Sequence, residues 1–298
     1  MSQAGKDGTF HPVPEAQAQN LPGTENSMNP TSESTKLEGK NEFHEYRAAN
    51  KLENAKAFIT GGDSGIGRAV AVLFAREGAD VTIVYLPEEQ EDAEETKKMV
   101  EKEGRKCVLF PGNLMDNETC KNAVQKHVDE FGKIDVLVNN AAKQIMCEDF
   151  KDIDLENVES TFRSNILQIF AITKYALHHM EKGGSCSIIN STSVVAFRGT
   201  AAMVDYASTK GAIVAFTRSL SKQLVKKGIR VNAVAPGPVH TPLQPASRPA
   251  DQMEGFGKQS QLGRVGQPSE IATSFVFLAS KDATLFHGQI LHAYPLGD

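Results

Sequence analysis

From Lys56 onward the chain repeats one pattern, and that pattern restricts its fold more than any other feature. Short β-rich runs, AKAFIT, VTIVYL, KCVLF, IDVLVNN, CSIINST, IRVNAVA and QILHAY, alternate with helical segments such as RAVAVLFAREG and ETCKNAVQKHVDEFG. A strand that is apolar throughout, rather than at every second position, is one buried on both faces. Such strands belong to parallel sheets whose crossover helices cover each side. Seven of them predict one α/β, doubly wound domain over 49–298, with a seven-stranded parallel sheet and helices on both faces. No internal repeat is present, and 40% hydrophobic residues suffice for the core this requires.

Residues 1–48 read differently. They hold Pro12, Pro14, Pro22 and Pro30 and no sustained apolar period, so they cannot bury enough surface to fold alone. The reading is a flexible N-terminal extension, either a disordered tail or an arm lying on another surface. Because it carries none of the motifs below, cofactor binding is expected to survive its removal. The stretch Gln244–Gln261, with Pro245, Pro249, Gly255 and Gly257, breaks the rhythm and predicts a long loop of the kind that covers active sites. The acidic run Glu88–Glu95 predicts a solvated helix start.

A net charge of −5 gives no electrostatic case for nucleic acid or acidic membranes. Cys107, Cys120, Cys147 and Cys186 have no C-x-x-C spacing, which predicts free thiols in a reducing compartment and no metal site. No run approaches the ~18 apolar residues of a membrane span. The first residues lack both the apolar core of a secretory signal and the basic bias of a transit peptide, so the expected location is cytoplasmic.

Two motifs carry chemistry. The first strand ends in Thr60-Gly61-Gly62-Asp63-Ser64-Gly65-Ile66-Gly67, and a helix follows at once. Glycines let backbone turn sharply and approach a pyrophosphate, while the helix N-terminus supplies amide donors. The second is Tyr206-Ala207-Ser208-Thr209-Lys210, where Tyr and Lys four apart share a helix face. A lysine cation beside a phenol favours the phenolate, bringing the tyrosine towards general acid/base work. Ser193, thirteen residues before Tyr206, follows a strand and can donate to a substrate oxygen. Asn139-Asn140-Ala141-Ala142 closes another strand, at the sheet edge where doubly wound folds bind ligands. Asn165 lies within the helical pattern TFRSNILQIFAITKYAL, where a polar amide needs partners. His178-His179 reads as a helix cap or surface pair, and His240 as a candidate for the substrate pocket.

In this order and spacing, the motifs resemble the short-chain dehydrogenase/reductase family over about residues 52–292, with a Rossmann-type fold. The resemblance implies Tyr206, Lys210, Ser193 and Asn165 as catalytic residues. It implies a cofactor, NADP or NAD, held by Gly61, Asp63, Ser64, Gly65, Ile66, Gly67, Tyr85, Asn113, Leu114, Asn140, Ala141, Tyr206, Lys210, Pro236, Gly237, Val239 and Thr241, with no metal. The implied reaction passes a hydride between nicotinamide and a carbonyl or alcohol substrate. Tyr206 would exchange the proton, Ser193 orient the oxygen, Lys210 lower the tyrosine pKa and bond the ribose, and Asn165 hold a water. GGDSGIGRAV, YLPEEQEDAEET and TPLQPAS are similar to a subgroup of glucose or ribitol dehydrogenase homologues and general-stress oxidoreductases, implying a sugar or polyol. Alternatives are a specialised-metabolite reductase or a non-catalytic redox sensor. The family also implies a homo-oligomer, dimer or tetramer. Three positions depart from its pattern: Ala142, Asn113 and the ending His292-Ala293-Tyr294-Pro295-Leu296-Gly297-Asp298. Neither Tyr85 nor Leu86 is charged, which predicts only modest discrimination between NADP and NAD.

Overall fold

A computed structural model describes residues 8–181, 183 and 186–295; Leu296–Asp298 of the atypical ending lie outside the described residues. A small antiparallel pair, β1 (Lys36–Leu37) and β2 (His44–Glu45), precedes the domain. The seven apolar runs then form β3 (Lys56–Thr60), β4 (Asp80–Tyr85), β5 (Cys107–Pro111), β6 (Val136–Asn139), β7 (Ser187–Ser191), β8 (Arg230–Pro236) and β9 (Ile290–Ala293). All seven are parallel, in the order β5-β4-β3-β6-β7-β8-β9.

Between the strands run α1 (Gly65–Arg76), α2 (Gln90–Lys102), α3 (Asn117–Phe131), α4 (Leu155–Phe162), α5 (Gln168–Ala176), α6 (Val195–Arg198), α7 (Val204–Leu224), α8 (Leu243–Ser247) and α9 (Pro268–Ala279). The two-residue period of a strand divides the core. Ala57 and Ile59 of β3 pack with α1, α2 and α9, whereas Phe58 between them packs with α3 and α5 on the other face. The chain order reverses between β3 and β6. Loops leaving their C-terminal ends diverge there, opening the crevice in which doubly wound sheets bind ligands.

Residues 8–48, which lack a core of their own, lie on the domain as an arm. Val13 is fully buried, and Phe10 and Met28 nearly so. The arm bonds to the 241–266 region through Gln19 N to Pro245 O (2.8 Å) and Gly255 N to Val13 O (2.8 Å), and to α9 through Ser269 N to Glu33 O (3.0 Å). The long interruption after Thr241 carries the short α8 and a series of turns. The acidic run does begin α2, but it is not wholly solvated. Asp92 is buried in an ion pair with Arg68 of α1 (3.3 Å).

Candidate active site

A cleft of about 380 Å³ opens at the β3/β6 switch point. Eleven of the residues implied as cofactor contacts line it: Gly61, Asp63, Ser64, Gly65, Ile66, Tyr85, Asn113, Leu114, Asn140, Ala141 and Thr241. The glycine loop forms its floor. Gly61 has φ +62° and Gly65 +48°, conformations that L side chains rarely adopt. At Gly67 the restriction is space, because a Cβ would lie 1.7 Å from the Gly61 carbonyl oxygen. Thr60 Oγ1 accepts the Asn140 and Ala141 amides (3.0 and 3.1 Å), and Asn140 Nδ2 donates to Gly61 O (3.0 Å). These bonds tie the loop after β6 to the loop after β3.

One wall is acidic. Asp63 is buried, and its Oδ2 has no hydrogen-bond partner. Burial pushes its carboxyl up to about 6. Glu89, part of the run read as solvated, also lines the cleft, and burial followed by the Asp63 charge pushes it up to about 8. Tyr85 donates its hydroxyl to Gln90 Oε1 (2.6 Å).

The four catalytic candidates gather beyond this cleft and are not on its lining. The Tyr206 hydroxyl lies beside Ser193, two residues past the end of β7. Burial pushes the phenol up to about 12, opposed by Ser193 and by the Arg248 charge. Lys210 Nζ, one turn along α7, lies 5.3 Å from the Tyr206 ring centre and donates to Ser191 O (2.9 Å). Burial alone brings it down to about 7. Ser193 and Arg248 oppose the rise of the phenol, and burial brings the neighbouring lysine down.

Asn165 sits in a π-helical turn, Arg163–Leu167, between α4 and α5. Its Oδ1 accepts from Lys143 N (2.8 Å), and its Nδ2 donates to Lys143 O (2.8 Å) and Thr209 Oγ1 (3.2 Å). The amide thus finds its partners, and it joins Lys143 on the cleft wall to the helix bearing Tyr206. Pro236, Gly237 and Val239 also lie off the lining. The Pro236 carbonyl accepts from Val194 N (3.1 Å) beside Ser193, and Gly237 packs under the Tyr294 ring. His240 is not on the lining of this cleft. It is fully buried, with Nε2 2.8 Å from Pro30 O of the arm.

Sequence reading missed Leu21, Pro22, Gly23, Glu89, Lys143, Gln168 and Leu243 on the cleft wall. Gln168 was findable, being one turn beyond Asn165 on an apolar helix. The arm residues carry no local sign of their place.

Comparison with known proteins agrees with this geometry. The family model described as enoyl-(acyl carrier protein) reductase matches residues 61–293. General stress protein 39 of Bacillus subtilis is 48% identical over 91% of each chain. The glucose and ribitol dehydrogenase of Daucus carota is 45% identical over 94% of each. A crystal structure of a short-chain dehydrogenase from Burkholderia cenocepacia in complex with NADP superposes with a TM-score of 0.75 at 28% identity, covering 81% of this chain and 97% of that one.

Proposed function

The chain belongs to the short-chain dehydrogenase/reductase family of oxidoreductases, and from that premise we propose that it interconverts a carbonyl and an alcohol with NAD(P), acting on sugars or polyols. The observation that carries the reading is the grouping of Tyr206 with Ser193, with Lys210 one turn away, standing beyond a glycine-floored cleft. The dinucleotide suits the residues present. At Gly67 the floor excludes even a methyl group, and the first amides of α1 have no acceptor within the helix and suit a pyrophosphate. Asp63 Oδ2 has acceptor capacity for a ribose hydroxyl. The sugar or polyol class rests on the likeness to the carrot enzyme.

When bound, the nicotinamide supplies or takes the hydride. Tyr206 gives the substrate oxygen its proton in reduction and removes it in oxidation. Ser193 donates to the same oxygen and holds it. Lys210, one turn along α7, would replenish the proton and bond the ribose, and Asn165 keeps the Lys143 segment and α7 in register. A homo-oligomer, dimer or tetramer, and a cytoplasmic location complete the proposal. Among the described residues, no helix is long and apolar enough to cross a membrane.

The test is absorbance of NADPH and NADH against a panel of aldoses, ketones and polyols, on the parent and Tyr206→Phe. The variant should lose ~10²–10⁴-fold in kcat, the range for a positioned acid/base, while cofactor affinity stays constant. A parent that binds nucleotide but turns over nothing would favour the redox sensor. Full activity in Tyr206→Phe would remove the mechanism.

A further inference from the structure

The acidic wall and the glycine floor leave one side of the cleft to a segment that no cofactor motif predicts. Leu21, Pro22 and Gly23 of the N-terminal arm line the same cavity as Gly61, Ser64, Gly65, Asn113 and Thr241. Gly23 is held against the start of α8 so closely that a Cβ would lie 2.4 Å from the Pro242 carbonyl oxygen and 2.8 Å from the Ala246 methyl. Two residues further on, Glu25 is 3% exposed. Its Oε2 accepts from the Gly65 amide (3.1 Å) and its Oε1 from Ser32 N (2.7 Å). Its own amide donates to Asp92 Oδ2 (2.7 Å), and Asp92 pairs with Arg68, whose Nε donates to the Asp63 carbonyl (2.8 Å).

We propose that the N-terminal arm is a structural wall of the cofactor site, with Leu21–Gly23 covering the dinucleotide cleft and Glu25 positioning the glycine loop. This rests on the reading of the cleft as an NAD(P) site, and it replaces the expectation that cofactor binding survives removal of the arm. The arm reaches both banks: the glycine loop through Glu25, and the region after β8 through Gln19 with Pro245, Val13 with Gly255 and Pro30 with His240. A carboxylate at the start of α1 would by charge alone oppose a pyrophosphate. Its contribution is conformational. A loop with glycines at φ +62° and +48° has much freedom to lose on binding, and fixing it beforehand removes that cost. Glu25 takes one of the orphan amides of α1 and leaves the next ones for the ligand.

The experiment uses the full chain and two separate variants, Gly23→Val, which lifts the arm off α8, and Glu25→Ala, which frees Gly65. Calorimetric titration with NADPH, NADH and AMP is paired with steady-state kinetics. Each variant should raise the Kd and KM for both dinucleotides at least about tenfold, equivalent to about 1.4 kcal/mol. Affinity for AMP, which lacks the pyrophosphate and nicotinamide half, should stay within about twofold, as should kcat at saturating cofactor. Unchanged dinucleotide affinity would overturn the proposal, making the arm passive packing. Tighter binding would also overturn it, making Glu25 a competitor of the pyrophosphate. Equal loss of AMP and NADPH affinity would reduce the effect to general destabilisation and likewise overturn it. A parent that binds no dinucleotide refutes the proposed function itself, so the two failures are distinct.

Discussion

At the scale of single residues, the site is governed by which charges the fold has desolvated. Glu89 shares the cleft wall with Tyr85 and Leu86, at the strand end where the adenosine ribose of a dinucleotide is read. Burial, then the Asp63 charge, raises its carboxyl to about 8, while burial raises Asp63 to about 6. A raised carboxyl is neutral below its pKa and charged above it. Lowering the pH from about 9 to about 6.5 therefore discharges Glu89 and begins to discharge Asp63, relieving their repulsion of a 2'-phosphate and weakening them as acceptors for a 2'-hydroxyl. The ratio of NADPH to NADH affinity should rise as the pH falls, with discrimination at neutrality below ~100-fold, or under about 3 kcal/mol. Fluorescence titration across that window checks this. A ratio that is flat in the parent, or equally steep in Glu89→Gln, would show that the wall does not read the ribose.

Elements matter here through their ends and irregularities. The helical segment from Leu155 to Ala176 is continuous in sequence pattern, yet it contains the π turn Arg163–Leu167. The turn places Asn165 where its amide spans Lys143 and Thr209. Such bulges are frequent at functional sites, because an extra residue per turn redirects a side chain. Asn165→Ala would strip the Lys143 amide and carbonyl of their partner, costing about 1–3 kcal/mol for each buried group left unsatisfied. A lowered Tm should accompany a fall in kcat, since Lys143 and α7 lose their common tie. Thermal denaturation and turnover measured together test this, and a loss of stability with normal kcat would confine Asn165 to a packing role.

For the molecule as a whole, the segment from α4 through the π turn to α5 leaves three large apolar side chains exposed. Leu155 is 74% exposed, Leu167 50% and Phe170 54%, and Phe170 stacks edge-on against Phe216 of α7 with ring centres 4.7 Å apart. Apolar residues grouped on one face mark an interaction surface more often than singly scattered ones do. This segment is the expected subunit contact of the proposed homo-oligomer. Phe170→Glu should lower the assembly mass measured by light scattering while leaving far-UV dichroism intact. An unchanged mass would place the contact elsewhere, and a monomeric parent would remove the homo-oligomer from the proposal.

The sheet, its helices, the glycine loop and the four clustered catalytic candidates were legible in the amino-acid sequence because each is written within a short window. Strands declare themselves by apolar runs, helices by period, and Tyr206 with Lys210 by a four-residue spacing. The features that were not legible join segments far apart in the chain. Glu25 meets Gly65 across 40 residues, Pro30 meets His240 across 210, and Asp92 turns inward to Arg68 from a run that looks solvated. The same holds for the proton chemistry, since the lysine's descent to about 7 reflects burial rather than its neighbour in the motif. Local propensity and spacing specify which elements form. Desolvation and the partners of buried polar groups exist only once distant segments are packed together, so only the tertiary structure decided what the arm covers and which charges the site carries.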